Sequence, residues 1–194
     1  AALQERLSFS EAELKKIVLW QPRVLSFSIE AKVLPKLAAL QERLELSKTE
    51  LRKVVLRRPA VLSQSIEANV LPSLAALQKR LGLSEAELKQ MVLKQPQVLC
   101  LRIETNLLLK LDWLQNKLGL SLGELRQHMV QTPMYVSFSL DKRLRPRLLP
   151  SLAALQERLS FSEAELKKIV LWQPRVLSFS IEAKVLPKLA AGIS

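Results

Sequence analysis

The sequence is poor in the residues that catalysis and cross-linking draw on. Its one cysteine, Cys100, rules out an internal disulfide and suits a reducing compartment. One histidine, His128, and two aspartates, Asp112 and Asp141, leave little raw material for acid–base or nucleophilic chemistry. Four glycines do not make a glycine-rich phosphate loop, and no His/Cys spacing fits zinc. The chain is therefore expected to be non-enzymatic and to need no cofactor. Its apolar runs stay short of the roughly 20 residues that cross a bilayer, so no membrane partner is expected. The start, Ala1-Ala2-Leu3-Gln4, has neither initiator methionine nor signal peptide, which points to a mature fragment whose targeting segment lies elsewhere.

What remains is apolar and basic. Of 194 residues 48% are hydrophobic and 25% charged, a globular balance, and the net charge is +12. Such an excess favours polyanions such as nucleic acid or an acidic membrane surface; a merely solvated lysine-rich surface is the alternative.

The organising fact is a repeat. Pro22, Pro59, Pro96, Pro133 and Pro174 follow one another at 37, 37, 37 and 41 residues. A period in this range means stacked supersecondary units that cannot bury their apolar faces alone, hence an all-α solenoid. We read one domain over residues 1–194, with units at about 1–34, 35–71, 72–108, 109–149 and 150–186 and a partial unit at 187–194. Residues 1–39 and 153–191 are identical although the intervening units differ, which fits a recent duplication or a deliberate assembly.

Within each unit a serine stands three residues before a glutamate: Ser10/Glu13, Ser47/Glu50, Ser84/Glu87, Ser121/Glu124 and Ser162/Glu165. This is the capping-box pattern, and five copies in register predict five helix starts. The short helix that follows carries Leu51, Val54 and Val55 at helical spacing and ends at Pro59. Next comes a tight turn or brief 3₁₀ segment, Val61 to Ser65, and a second helix opening at Ile66-Glu67. Pro72 either kinks that helix or marks its true first turn. Leu74, Leu77 and Leu81 form its buried stripe, and Gly82 leads into the next capping box. The fourth unit has Leu109 in place of proline and four extra residues within Asp141–Arg147, the most basic spot in the chain.

The run Leu81-Gly82-Leu83-Ser84-Glu85-Ala86-Glu87-Leu88, followed by Val92 to Leu99 with Pro96 inside it, resembles the repeat of the mitochondrial transcription termination factor (mTERF) family. The serine-plus-acid turn Ser63-Gln64-Ser65-Ile66-Glu67 is similar, as is Ser137 to Arg147, which looks like the family's signature of serines, leucine, acid, Lys-Arg and Pro-Arg. The resemblance covers nearly the whole chain. It implies a superhelix of helix, helix and 3₁₀ units with a basic groove for nucleic acid. It further implies a place in mitochondria or chloroplasts, acting in transcription termination or regulation of organelle gene expression, with double-stranded DNA as the ligand. Structured RNA in organelle intron splicing, or a non-catalytic protein-binding scaffold, are the alternatives.

Two columns are basic in every unit: Arg6, Arg43, Arg80, Lys117 and Arg158, and Lys15, Arg52, Lys89, Arg126 and Lys167. Lys36 and Arg43 share a helix face seven residues apart, an arrangement repeated by Lys110 and Lys117. Cations at regular spacing can follow a phosphate backbone; pairing with glutamates such as Glu42 is the bland reading. Local excesses add Arg57 and Arg58, Lys94, and the insertion's Lys142, Arg143, Arg145 and Arg147. Arg102 stands where other units have serine and gives up a cap for a cation. Trp20 and Trp172 share the column of Arg57 and Lys94, where they either pack between units or stack on a base. His128 and Cys100 read as packing substitutions in columns of Ile17, Val54 and Met91, and of Ser26 and Ser63. With no evident polar cap on the terminal units, end-to-end self-association is also expected.

Overall fold

The computed structural model describes residues 2–133, 136 and 138–172 and is built of helices, with no strand among them. The α-helices are α1 (Ala2–Leu7), α2 (Glu11–Trp20), α3 (Leu34–Arg43), α4 (Lys48–Arg57), α5 (Leu71–Leu81), α6 (Glu85–Lys94), α7 (Leu109–Leu118), α8 (Leu122–Gln131), α9 (Arg145–Leu159) and α10 (Glu163–Trp172). Even-numbered helices from α2 on are the capped short ones. Odd-numbered helices from α3 on are their partners, each preceded by a wide turn.

The short helices begin where the capping boxes place them. Ser47 Oγ accepts the Glu50 N–H at 3.1 Å while the Glu50 carboxylate accepts the Ser47 N–H at 2.8 Å, and Ser10, Ser84 and Ser121 repeat the exchange. Each reciprocal pair satisfies two backbone donors that a helix start leaves open. Proline then follows the short helix, and of the two readings the 3₁₀ turn is the one that forms, over Pro22–Ser26, Pro59–Ser63 and Pro96–Cys100; it starts at the proline itself, two residues before the expected Val61. In the second and third of these turns the apolar residues go inward, with Val61, Leu62, Val98 and Leu99 buried; in the first Val24 is buried and Leu25 is exposed.

The two readings of Pro72 merge. The second helix opens with a wide π turn, Ile66–Val70, in which Val70 N–H bonds back five residues to Ser65 O at 3.2 Å. It tightens into α5 at Leu71, with Pro72 in the first α turn. Proline supplies no N–H, so the pitch changes beside a residue that has no bond to lose. Ile29–Val33 and Leu140–Leu144 repeat the wide turn. Ile103–Leu108 does so too, although Leu109 replaces the proline, so the turn belongs to the unit and not to proline alone.

Like elements stack on like. Helix α4 packs on α6 and α6 on α8, while the 3₁₀ turns stack 22–26 on 59–63 on 96–100. The stripes Leu37/Leu40/Leu44, Leu74/Leu77/Leu81 and Leu51/Val54/Val55 are all buried and join one continuous core. Each fully buried leucine contributes about 1.5–3 kcal/mol against exposure, and no unit could gather this burial alone. The four-residue insertion becomes one more helical turn. Helix α9 has 15 residues where α5 has 11, and Leu144 and Leu148 remain in the core. Four residues exceed a 3.6-residue turn only slightly, so the buried face keeps its phase.

Candidate nucleic-acid interface

The second basic column is a ladder between units. Arg52 Nη2 lies 2.5 and 2.7 Å from the two carboxylate oxygens of Glu13, and Arg126 grips Glu87 through Nε at 3.1 Å and Nη2 at 2.6 Å. Lys89 meets Glu50 at 3.0 Å, and Lys167 meets Glu124 at 2.8 Å. Every partner is the capping-box glutamate of the preceding unit. One carboxylate thus closes its own helix start and holds the next unit. The lysines, with three donors on a point charge, also take the carbonyl at the preceding turn: Lys89 that of Glu45 at 2.7 Å, Lys167 that of Gly119 at 3.1 Å. Arg52 also lies over the Phe9 ring, 5.9 Å from its centroid.

The glutamates register this double duty. Arg126, then the Ser84 N–H, hold Glu87 at a pKa of about 2, and Lys167 with the Ser121 N–H holds Glu124 at about 2. Glu13 and Glu50 are lowered too, first by the N–H of Ser10 and Ser47 and then by Arg52 and Lys89.

The first basic column also bridges units where its partners exist. Arg43 on α3 donates to Gln78 at 2.7 Å and pairs with Glu85 at 2.5 Å; Arg80 on α5 pairs with Asp112 at 2.7 Å and donates to Gln115 at 2.7 Å. Lys117, exposed on α7, has no such partner among the described residues. Lys36 is half-buried on α3. Arg57 and Lys94 cap the C-terminal ends of the next short helices: Arg57 donates to Leu93 O at 2.9 Å, Lys94 to Val130 O and Gln131 O at 2.9 and 3.2 Å. Cations belong there, since the dipole is negative at that end. Both remain exposed.

Lys110 has a different place. It is 3% exposed, its ammonium donates to Val136 O at 3.2 Å, and burial lowers its pKa. Arg58 is half-buried beside Cys100, whose thiol burial pushes up against the pull of that guanidinium. His128 is 7% exposed among core residues, and burial pushes its pKa down to about 4.

The insertion is the most open basic segment described. Lys142 and Arg145 are exposed, and among the described residues Arg145 is tethered only to Asp141, at 2.8 Å with side chains 53% and 76% exposed. The side chains of Arg143 and Arg147 lie outside what the structure describes. Arg102 is exposed at the start of its wide turn and makes no side-chain cap, whereas Ser28 and Ser139 cap theirs. It borders a cleft of about 550 Å³ with Gln64, Asn69, Ser73 and Thr105. Trp20 is 66% exposed with Lys16 Nζ 5.9 Å from its ring centroid, and Trp172 is 83% exposed, so neither is buried between units.

Sequence reading did not find the partners of the two columns: Glu13, Glu50, Glu87 and Glu124 for the second, and Gln78, Glu85, Asp112 and Gln115 for the first. A signal was present. Each ladder pair up to Arg126 spans 39 residues, one 37-residue period plus two. Looking for complementary charge one period away, instead of one helical turn away, exposes it.

Stacked two-helix units with a wide-turn and 3₁₀ connection, held by an inter-unit charge ladder and carrying surplus cations, define a basic α-helical repeat protein. The mTERF family model matches residues 2–160, and the chain belongs to that family. Membership supports nucleic-acid binding in organellar gene expression as its general role. A direct comparison with curated proteins gave no match.

Proposed function

We propose that the chain binds double-stranded DNA through cations that the unit-to-unit contacts leave over, as a non-catalytic factor in organellar transcription termination or its regulation. The observation that carries this is the placement of the insertion. Lys142 and Arg145 sit exposed in the first turns of the continuous helix 140–159, where the helix dipole is positive. Cations there oppose the dipole, an arrangement that an anionic ligand relieves. The ladder does not weaken the reading, because each ion pair removes one charge of each sign and leaves the net +12 untouched.

Lys142, Arg143, Arg145 and Arg147 are the proposed primary phosphate contacts. Lys117, Lys36 and the open faces of Arg57, Arg58 and Lys94 extend them, with Arg43 and Arg80 holding the spacing between units. Lys110 is interior and is left out. Binding of this kind is dominated by counterion release, so affinity falls steeply with salt.

The test is a gel-shift series across salt with duplex DNA, single strands and structured RNA. Charge reversal at Lys142, Arg143, Arg145 and Arg147 is expected to weaken binding to every duplex sequence and to flatten the salt slope. Lys110→Met is expected to leave both unchanged. No duplex binding at low salt overturns the proposal; preference for structured RNA moves the role to intron splicing, and salt-indifferent binding to peptides alone moves it to a protein scaffold.

A further inference from the structure

The interior of the fold holds one lysine, and its counterpart one repeat earlier is a serine. Lys110, in the first turn of α7, is buried with its ammonium on Val136 O at 3.2 Å. One 37-residue period earlier the same two positions are Ser73, in the first turn of α5, and Leu99, in the 3₁₀ turn 96–100. In α3 the position again holds a lysine, the half-buried Lys36. A serine side chain cannot reach where a lysine does, and Leu99 O accepts no hydrogen bond among the described residues. Ser73 and Leu99 instead line the cleft of about 550 Å³ that Arg102 borders.

A second substitution makes the same cleft polar. Gln64, half-buried on its wall, stands where the other repeats have Phe27, Leu101 and Phe138. The amides of Gln64 and Asn69 and the hydroxyls of Ser73 and Thr105 have no hydrogen-bond partner among the described residues. Polar groups that line a cleft without internal partners are free to fix the orientation of a bound molecule. Val70, Pro72 and Leu101 supply apolar wall between them. At the exposed edge Glu104 sits in the first turn of its own helical segment, where an acid suits the dipole. Arg102, also exposed, makes no ion pair among the described residues.

We propose that this cleft binds a small aliphatic ω-ammonium carboxylate, its ammonium seated on Leu99 O as Lys110 is seated on Val136 O one repeat later. The alkyl stem runs along Val70 and Leu101, and the carboxylate meets Arg102 at the edge. An ammonium carries three donors, which suits a site of carbonyl, hydroxyl and amide oxygens. A chain of net charge +12 has no general attraction for amines, so recognition rests on the cleft's own acceptors and on the anion at the ligand's other end. The site is separate from the phosphate contacts proposed above and needs no nucleic acid.

Amide NMR spectra of the whole isotope-labelled chain, titrated with ε-aminocaproate, pentylamine or caproate, test this. Saturable shifts are expected at Cys100, Leu101 and Arg102 with ε-aminocaproate. Pentylamine is expected to bind about two- to fivefold more weakly, the size of one exposed ion pair. Caproate, with no donor for Leu99 O, is expected to bind at least about tenfold more weakly, the size of a hydrogen bond to a charged group. Arg102→Gln is expected to bring ε-aminocaproate down to the level of pentylamine with helicity unchanged, since that side chain is exposed. Ser73→Lys supplies an ammonium from the chain itself and is expected to abolish the shifts. The proposal is overturned if no amine gives a saturable shift, if caproate binds as well as ε-aminocaproate, or if a folded Ser73→Lys binds undiminished. Should Ser73→Lys fail to fold, the three ligands and Arg102→Gln decide the matter alone.

Discussion

Acidification from pH 7 to pH 5 is expected to destabilise the array through one side chain, His128. Its imidazole is 7% exposed in the column otherwise filled by Ile17, Val54 and Met91, and burial pushes its pKa down to about 4 from 6.5. The unfolded chain therefore takes up the proton first. Stability from this group is complete above pH 6.5 and is lost as pH falls toward 4. The whole shift corresponds to about 3.4 kcal/mol, of which roughly 2 kcal/mol is lost by pH 5; solvent relaxation around the imidazolium reduces this to about 1–2 kcal/mol. For a chain of this size that is a fall in melting temperature of roughly 2–8 °C. The glutamates do not compete in this window: Glu87 and Glu124, held at about 2, lose stability only as pH drops through 4.5 and below. The assay is thermal unfolding by circular dichroism at half-unit pH steps, on the parent and on His128→Met, which installs the residue that Met91 supplies one unit earlier. The parent is expected to slope between pH 6.5 and 5 while the variant stays flat. Equal slopes, or no slope in the parent, refute the assignment.

Two further perturbations address the turns and the ladder. Glu45 holds a left-handed backbone, φ +48°, at the position where Gly82 and Gly119 stand at +62° and +56°. Glu45→Gly is expected to raise stability by about 0.5–1 kcal/mol and Gly82→Ala to lower it by about 1 kcal/mol in denaturant melts. A Cβ at Gly82 meets nothing closer than Arg126 Nη1 at 3.9 Å, so only the backbone is strained; an unchanged midpoint in both variants contradicts this. Glu87→Gln keeps an oxygen for the Ser84 N–H but loses the charge facing Arg126, whereas Glu87→Ala loses both. The Gln variant's deficit is expected to shrink at high salt while the Ala variant retains the loss of its cap, about 1 kcal/mol. Identical salt responses would show that the carboxylate does not serve both roles.

The local code of the fold was legible because its signals act within one helical turn. Ser47 and Glu50, or Ser84 and Glu87, define a helix start from four consecutive residues, and the leucine stripes define which side is buried. The wide turn before Pro72 was half legible: proline announces a change of pitch, but a turn of five-residue bonds persists at Leu109 without it and so depends on packing. The cation columns were visible as columns and opaque as chemistry. Arg52 and Glu13 stand a full period apart, and only stacking brings them together. Lys110 shows the limit most clearly. Lys36 and Lys110 occupy the same column, one half-buried and the other 3% exposed against the carbonyl of Val136, a partner 26 residues along the chain that no local pattern announces.

The longer α9 has a consequence for how a ligand is located along the molecule. An array of equal steps facing a uniform polyanion is a ruler without numerals, able to shift by one step and find the same contacts again. Four added residues lengthen one helix by about 6 Å, nearly two base-pair rises along a DNA strand. That single unequal graduation breaks the translational equivalence of the steps, so a bound polyanion meets one setting that its neighbours do not reproduce.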